Sequence, residues 1–396
     1  MTHPLFPPTR EAALARLREF APCAGARYAQ SRNTDAGPDA PSAASRLSPY
    51  LRRRLITEEE LVSAVLSEHS LQAAEKFVQE VLWRTYWKGW LELRPSVWAR
   101  FLATRDRTSL ADARALADAE QGRTGIEGFD DWARELRETG YLHNHVRMWF
   151  ASIWIFTLRL PWALGADFFL RHLIDADPAS NTLSWRWVAG LQTAGKTYLA
   201  TQENIARYTQ GRFAPKGLAR AATALTEAPL EPVRPVRALT AADPATPALL
   251  LVTDEDMYPD FLLTGGSSIR AATIVADPDL LWGDAARVFA ASAAEDVAAR
   301  LRDGLDDRVT VAGCLDAQTL INAAQAAGVD RIVTAYAPVG PVADRLAAVT
   351  AAVATEGIMV DWVRRDWDTR FWPHATKGFF PFKEHIPNIL RERGLV

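Results

Sequence analysis

The sequence predicts two modules of different fold class, an all-helical module followed by a doubly wound parallel-sheet (Rossmann-like) α/β module. Apolar residues recur with a helical period between residues 47 and 212, and no strand-like alternation interrupts them. Residues 214–247 contain six prolines among many alanines, which is typical of a linker. After that segment, short apolar runs alternate with helical segments, as in a sheet covered by helices. We therefore predict a helical domain over 1–213, a linker over 214–247 and an α/β domain over 248–396.

The helical module is predicted to open with an amphipathic helix over 10–20 and a loop over 33–45, where proline, glycine, serine and aspartate are frequent. Period-3.6 spacing predicts four further helices, over 58–66, 72–93, 131–139 and 144–158. Ten of the chain's 14 tryptophans lie between Trp83 and Trp187. Aromatic side chains usually fill a core, but indoles at this density also suit stacking surfaces or the surroundings of a redox cofactor.

In the α/β module, five apolar runs are predicted to form strands, over 249–253, 272–276, 309–312, 331–334 and 358–363. Helices are predicted over 293–305, 317–327 and 341–355. The alternation favours a parallel sheet with helical crossovers. No glycine-rich nucleotide-binding sequence follows the first strand. Asp254, Glu255 and Asp256 stand there instead, and their carboxylates would repel a phosphate.

Composition sets further limits, since 48% hydrophobic and 23% charged residues are typical of a globular chain. The net charge of −3 divides into +4 for residues 1–235 and −7 for residues 236–396, so the helical module better suits a partner that carries phosphate. Cys23 and Cys314 are too few for a four-cysteine iron–sulfur cluster, and we expect neither a metal site nor disulfides. The longest apolar run, 148–158, is too short to span a bilayer, so we expect a soluble, cytoplasmic protein without membrane contact.

Three segments of the helical module carry the candidate chemistry. The first is Ser45-Arg46-Leu47-Ser48-Pro49-Tyr50-Leu51, preceded by Tyr28. Its serine hydroxyls and the free N–H groups of a helix start can hold an anion, and Pro49 suits a first turn. The alternative interpretation is an ordinary helix N-cap.

The second segment is Glu80-Val81-Leu82-Trp83-Arg84-Thr85-Tyr86-Trp87. A helix that combines glutamate, arginine and tryptophan on a buried-looking face needs partners for its charges. The alternative is a surface ion pair between Glu80 and Arg84, which are four residues apart.

The third segment is the longest and covers residues 139–148, 173–181 and 185–187. Its polar and aromatic candidates are Asn144, Arg147, Met148, Asp175, Asp177, Asn181, Trp185 and Trp187. A carboxylate–guanidinium pair would fix charge beside a redox ring, and an amide can donate or accept as the ring changes its protonation.

In order and spacing, these segments resemble the flavin-binding domain of the DNA photolyase/cryptochrome family. The resemblance implies an all-helical, photolyase-type FAD-binding domain with FAD as its cofactor. The residues that it implies for FAD binding are Tyr28, Ser45, Arg46, Leu47, Ser48, Arg84, Asn144, Arg147, Asp175, Asp177 and Asn181. Arg147 would pair with Asp175 beside the isoalloxazine ring. Asp177 would bond the polar edge of that ring, and Asn181 would face its N5 atom.

The catalytic residues implied by the resemblance are Glu80, Trp83, Met148, Trp162, Asn181, Trp185 and Trp187. Those that correspond to lesion-binding positions are Glu80, Trp83, Met148 and Trp187. Trp185 and Trp162 correspond to the first two members of the family's tryptophan electron-transfer chain. The candidates for its third member are Trp90, Trp132 and Trp154.

Met148 favours repair of cyclobutane pyrimidine dimers by electron transfer from light-excited reduced FAD, because animal-type (6-4) photolyases carry histidine at the matching position. The cysteine count disfavours the bacterial iron–sulfur (6-4) class. The expected partner is damaged DNA with the pyrimidine dimer flipped out, and a monomer is expected. A cryptochrome-like blue-light photoreceptor without repair, a (6-4) photolyase and a flavoprotein without light function are the alternatives.

Two features depart from the family's pattern. His145 stands where many members carry an arginine, so one contact to a DNA phosphate is not assured. An α/β antenna domain precedes the helical domain in most of the family, whereas here the α/β module follows it, and residues 358–390, which contain 377–383, resemble the end of that antenna domain. Because no phosphate-binding sequence follows the first strand, we expect an empty or atypical antenna site.

Overall fold

The computed structural model describes residues 5–38, 40, 42–108, 113–239, 243–265 and 268–396. The helices of the first module are α1 (Arg10–Phe20), α2 (Ala26–Ser31), α3 (Ser48–Arg52), α4 (Glu58–Glu68), α5 (Leu71–Glu92), α6 (Ser96–Arg107), α7 (Ala113–Gln121), α8 (Phe129–Thr139), α9 (Asn144–Ser152), α10 (Trp162–His172), α11 (Pro178–Val188) and α12 (Gln202–Tyr208). The strands of the second module are β1 (Ala248–Thr253), β2 (Ile269–Val275), β3 (Val309–Ala312), β4 (Arg331–Ala335) and β5 (Met359–Val363). Its helices are α13 (Asp260–Thr264), α14 (Asp284–Leu305), α15 (Ala317–Ala327), α16 (Pro341–Ala354), α17 (Asp366–Phe371), α18 (Phe379–Lys383) and α19 (Ile386–Glu392).

The helices predicted for the first module are confirmed, with shifts of a few residues at their ends. α4 begins after Thr57 because a capping box forms there: the Glu60 N–H donates to the Thr57 hydroxyl, and the Glu60 carboxylate accepts from the Thr57 N–H. A π-helical segment, Ile153–Thr157, continues α9, so the predicted helix over 144–158 widens in its last turns. The described residues of the predicted loop over 33–45 form neither helix nor strand, and residues 39 and 41 lie outside the description.

The second module is a five-stranded parallel sheet with the order β3-β2-β1-β4-β5, so the doubly wound prediction is confirmed. β1 is buried along its whole length because it is the central strand and both of its faces are covered. Leu250 and Val252 face one apolar cluster, and Leu249 and Leu251 face the other. No helix among the described residues is long and apolar enough to cross a membrane.

The predicted start of the first long helix in this module was wrong. α14 begins at Asp284, nine residues before the predicted position, and it spans 22 residues. Its first turns bury Ala286, Phe289 and Ala290 on the face that continues to Leu301. The alanine-rich composition hid this continuity, because alanine contributes little contrast to a hydrophobic period.

The linker predicted over 214–247 is extended, and its described part lies along the helical module as a strap. The Leu225 N–H donates to the Ala189 carbonyl at 3.0 Å, and the Ala219 N–H donates to the Thr157 hydroxyl at 3.0 Å. The Arg186 guanidinium, which is buried in α11, forms a two-pronged ion pair with Glu227 of the strap. The strap therefore holds α11 in place. Residues 240–242 of the predicted linker are not among the residues that the structure describes.

Replacement of Glu227 by alanine is expected to lower the free energy of unfolding by about 2–4 kcal/mol, because it leaves the buried Arg186 charge without its partner. Chemical denaturation of the purified protein measures this loss. Glu231→Ala is the matched control, since Glu231 pairs with the exposed Arg234 in the same strap and its loss should cost less than about 1 kcal/mol. Equal effects of the two replacements would contradict the strap's role.

The end of the chain packs against α5, so one continuous core extends across both modules. The Trp367 indole N–H donates to the Thr85 hydroxyl at 3.1 Å, and the Tyr86 hydroxyl donates to the Lys377 carbonyl at 2.7 Å. Gly89 permits the close approach of Trp372, because a Cβ at this position would lie 2.9 Å from the Trp372 Cα. The second module is thus attached to the helix that carries the second candidate segment.

A buried group of charges also joins the modules. Arg52, at the end of α3, and Arg54, two residues later, pair with the acidic residues that follow β1. The buried Arg53 between them donates to the Ile174 carbonyl at 2.8 Å instead. We call these six residues, Arg52–Arg54 and Asp254–Asp256, the arginine–acid cluster. The three carboxylates that the sequence suggested would repel a phosphate therefore serve as counter-ions of arginines from the other module.

Candidate functional site

A cavity of about 540 Å³ opens between α2, α3, α5, α9 and α11. Sixteen of the seventeen predicted site residues line it, although they come from positions 28 to 187. These are Tyr28, Ser45, Arg46, Leu47, Ser48, Glu80, Trp83, Arg84, Asn144, Arg147, Met148, Asp175, Asp177, Asn181, Trp185 and Trp187. Trp162 is not among the lining residues, and its ring packs against Phe101 with centroids 5.7 Å apart.

The predicted pair of Arg147 and Asp175 is present, with 3.2 Å between Nη1 and Oδ2. Arg147 extends from α9, and Asp175 lies in the turn before α11. Burial alone would raise the pKa of Asp175, but the charges on Arg147 and Arg84 outweigh it and hold that pKa below its usual range. Asp175 therefore stays ionised as a fixed negative charge in the cavity wall.

Asp177 is the second fixed charge, and it performs two tasks. Its Oδ1 accepts a hydrogen bond from the Ser180 N–H at 2.8 Å and so caps the start of α11. Its Oδ2 accepts from Arg84 Nη1 at 2.6 Å and lies 4.0 Å from Arg52 Nε. Burial opposes ionisation, but Arg84, Lys88 and Arg52 together hold the pKa of Asp177 far below its usual range.

Asn181 lies one turn into α11 and lines the cavity. Its Nδ2 donates to the Ala166 carbonyl at 2.8 Å, which fixes the orientation of the amide. One N–H of the amide is thus used within the protein, and the side-chain oxygen and the second N–H can meet a ligand.

The first candidate segment forms a tight entry to the short helix α3. Arg46 has a positive φ of 53°, and the Leu47 N–H donates to the Ser45 hydroxyl at 3.4 Å. Pro49 lies in the first turn of α3, as the sequence predicted. Tyr28 joins this wall from α2, where Phe20 and Phe77 pack edge-on against its ring.

The alternative interpretation of the second segment, a Glu80–Arg84 ion pair, is wrong. Arg84 pairs with Asp177, and Glu80 instead accepts a hydrogen bond from Arg32 Nη1 at 3.1 Å. Burial raises the pKa of Glu80, and the nearby Arg32 and Lys76 only partly offset that rise. Glu80 therefore retains a proton to a higher pH than an ordinary glutamate.

Two aromatic side chains, Trp83 and Trp187, form flat parts of the cavity wall. The Trp83 ring stacks on Phe379, with centroids 3.8 Å apart and an interplanar angle of 12°. Trp187 stacks on Tyr198, with centroids 5.6 Å apart. Phe379 belongs to α18, so the second module supports a residue of the cavity in the first.

Among the tryptophans considered for electron transfer, Trp154 lies against Trp185, with centroids 6.1 Å apart and the rings nearly perpendicular. Trp132 stacks on Trp149, and Trp90 lies under the guanidinium of Arg94. Of the three candidates, Trp154 is the one whose ring contacts Trp185, the predicted first member, and the place of the third member stays open.

His145, the residue that replaces an arginine, offers no positive charge at neutral pH. Burial and the neighbouring His143 lower the pKa of His145 to about 4. Its ring packs against Trp149 and Tyr208, with centroids 4.6 Å and 5.0 Å away. A contact to a DNA phosphate from this position would lack a cation.

The sequence reasoning missed Arg32, Arg52 and Phe379. Arg32 lies 48 residues from its partner Glu80, and no periodic signal connects the two. Phe379 belongs to the other module, so nothing local ties it to Trp83. Arg52 did leave a signal, since three consecutive arginines directly after an apolar motif are costly to bury without counter-ions.

The cavity holds polar atoms that the protein itself does not satisfy. Within the described residues, Arg46 Nε, the Ser180 hydroxyl and the Trp185 indole N–H are buried and have no hydrogen-bond partner. All three residues line the cavity. Buried polar groups are normally paired, so these atoms indicate a polar ligand. FAD fits that requirement, because its diphosphate, ribityl chain and ring edge supply acceptors and donors.

Comparison with known proteins shows which family the helical module is similar to. Residues 77–217 match the sequence family described as the FAD binding domain of DNA photolyase. The matched part of the chain is similar to the FAD-binding domain of the photolyase/cryptochrome family. FAD is the cofactor of such a domain, and the arrangement of photolyase-type residues around one cavity agrees with this assignment.

Curated photolyase relatives are similar to part of the chain. The deoxyribodipyrimidine photo-lyase of Streptomyces griseus is 37% identical over 152 residues, which is 38% of this chain and 33% of that protein. One from Thermus thermophilus is 35% identical over 201 residues, 49% of this chain and 46% of that protein. A bacterial class III photolyase from Agrobacterium tumefaciens superimposes with a TM-score of 0.45 and 29% identity over 52% of this chain and 43% of that one. The chain spans less than half the length of these relatives.

Proposed function

We propose that the protein is a deoxyribodipyrimidine photolyase that repairs cyclobutane pyrimidine dimers in DNA under blue light, acting as a cytoplasmic monomer. The observation that carries the proposal is that two residue sets meet in one cavity. The residues implied for lesion binding line the same cavity as those implied for FAD, namely Glu80, Trp83, Met148 and Trp187. A blue-light receptor without repair has no need of that set.

When bound in reduced form, FAD supplies the light-driven electron that splits the dimer. The chain's own residues hold and orient the reactants. The ionised Asp175 and Asp177, each paired with an arginine, place two fixed negative charges in the cavity wall. The side-chain amide of Asn181 faces the cavity in an orientation that its bond to the Ala166 carbonyl fixes. Trp83 and Trp187 supply aromatic faces that hold a flipped dimer by stacking and keep water away from it.

Glu80 is assigned as a hydrogen-bond donor to a pyrimidine carbonyl. A carboxyl group donates only when it is protonated, and burial raises the pKa of Glu80. The Arg32 contact orients the carboxyl group at the cavity wall. Glu80 therefore carries its proton over a wider pH range than an exposed glutamate on the same helix would.

Repair by the wild-type protein is expected to fall as the pH rises through the raised pKa of Glu80, because the donor is then lost. Glu80→Gln keeps an N–H donor and should repair at a rate nearly independent of pH between 5 and 8. Glu80→Ala should weaken binding of dimer-containing DNA by about 10- to 100-fold, as expected for a lost hydrogen bond to a buried group. Glu75→Gln is the control, because Glu75 is a half-exposed carboxylate on the same helix and does not line the cavity. An unaltered pH profile in Glu80→Gln would contradict this role.

The proposal as a whole is tested by repair of a single thymine dimer in single- and double-stranded oligonucleotides under blue light. The FAD-loaded, reduced protein is expected to restore the intact thymines, and darkness is the control. If the protein binds FAD but leaves the dimer intact in both substrates, the photoreceptor alternative replaces the proposal. Repair confined to an oligonucleotide with a (6-4) photoproduct would also overturn it.

A further inference from the structure

We propose that Glu255, which belongs to the α/β module, is a positioning residue of the flavin site. It holds Arg52 and Lys88 beside Asp177 and so determines the electrostatic potential at bound FAD. The inference rests on the FAD site proposed for the helical module. It gives the second module a role at the flavin that does not depend on an antenna ligand.

Glu255 makes two contacts across the boundary between the modules. Its Oε1 accepts a hydrogen bond from Arg52 Nη2 at 2.7 Å, and its Oε2 lies 3.5 Å from Lys88 Nζ. All three side chains are almost completely buried. A buried carboxylate between two buried cations is a specific arrangement, because each charge would be costly alone.

The two cations held by Glu255 both act on Asp177, a residue of the cavity wall. Arg52 Nε lies 4.0 Å from Asp177 Oδ2, and Lys88 and Arg52 both help to keep Asp177 ionised. Asp177 lines the cavity and pairs with Arg84, which lines it as well. The path from the α/β module to the cavity is thus Glu255, then Arg52 and Lys88, then Asp177.

The charge of Glu255 should change the equilibrium between oxidised and reduced FAD. Reduced FAD, with its anionic ring, carries one more negative charge than oxidised FAD. Removal of a buried negative charge nearby makes the local potential more positive and favours the reduced form. At an effective dielectric constant of about 20, a unit charge acting through one layer of side chains changes such an equilibrium by roughly tenfold. A carboxylate that only joined two modules would affect stability without this directional shift.

The test uses the full-length protein loaded with FAD, and the readout is the midpoint potential of the flavin followed by its absorbance. Glu255→Gln is expected to shift the oxidised–reduced equilibrium about tenfold toward reduced FAD. Glu255→Asp keeps the charge and should return the potential close to that of the wild type. Asp361→Asn is the matched control, because it removes a partly buried charge that pairs with Arg331 inside the α/β module. That variant should leave the potential unchanged.

Lys88→Met provides a second variant with the opposite sign, and it is informative even if Glu255→Gln fails to fold. Removal of this buried cation should shift the equilibrium toward oxidised FAD. A lower melting temperature with an unchanged potential in Glu255→Gln, or shifts of the same sign in both variants, would overturn the inference. The measurement needs no DNA, so failure of the repair proposal would leave it intact. Failure to bind FAD in the wild type would instead remove the site on which both rest.

Discussion

Replacement of Arg54 by alanine is expected to lower the free energy of unfolding by about 3–5 kcal/mol, because it leaves buried carboxylates without their cation. Arg54 Nη2 donates to Asp368 Oδ2 at 2.6 Å, and Nη1 donates to Asp256 Oδ2 at 3.3 Å. Asp256 retains Arg365 as a partner, whereas Asp368 has no second ion pair among the described residues. Chemical denaturation measures the loss.

The loss in the free energy of unfolding caused by Arg54→Ala should depend on pH. Burial raises the pKa of Asp368 even with Arg54 beside it. A raised folded-state pKa gives stability that is present at low pH and is lost as the pH rises through that pKa. Removal of Arg54 raises the pKa of Asp368 further, so the variant's deficit should be larger at pH 8 than at pH 5. Denaturation at both pH values separates this electrostatic cause from a loss of packing.

Three comparisons complete the Arg54 experiment. The double variant Arg54→Met with Asp368→Leu removes the Arg54–Asp368 pair and should recover part of the lost stability, because the buried Glu58, 3.8 Å from Arg54 Nε in the wild type, still loses its cation. Arg123→Ala breaks an exposed pair with Asp118 and should cost less than about 1 kcal/mol. Because the Arg54 φ is +50°, Arg54→Gly should be more stable than Arg54→Ala by roughly 1 kcal/mol. A wild-type midpoint for Arg54→Ala would show that the cluster does not stabilise the fold.

The fold was largely predictable because its signals are local. The apolar run at β1 and the change of composition after residue 213 are properties of neighbouring residues. The extended strap was predicted as a linker, but its packing was not, since the Arg186–Glu227 pair joins residues 41 apart. The arginine–acid cluster was misread for the same reason: Asp254–Asp256 look unpaired until the other module is brought against them.

The cavity was predictable to the extent that family motifs carry it. Arg147, Asp175 and Asn181 occur in short segments whose order and spacing resemble a known domain, and these segments do meet in space. The residues behind the wall lie outside those segments. Phe379 and Glu255 contact the helical module only because the second module folds back onto α5 and α3. Long-range packing of this kind leaves no mark in a local pattern.

Replacement of Asp177 by alanine is expected to weaken FAD binding at least 100-fold, the largest effect that we predict for one residue of the cavity. The change removes the carboxylate that Arg84 Nη1 contacts at 2.6 Å and leaves the nearby Arg52 without this partner. It also removes the cap of α11, the helix that carries Asn181. Equilibrium titration with FAD, followed by flavin fluorescence, measures the loss.

Asp177→Asn separates the two causes, because an asparagine still caps a helix but carries no charge. If charge dominates, Asp177→Asn should bind FAD almost as weakly as Asp177→Ala while α11 keeps its stability. If capping dominates, Asp177→Asn should bind nearly as well as the wild type. Asp316→Ala is the matched control, since Asp316 caps α15 through the Thr319 N–H and lies in the other module. Full FAD occupancy in Asp177→Ala would exclude Asp177 from the flavin site. Glu255 could then not act on the cofactor through Asp177.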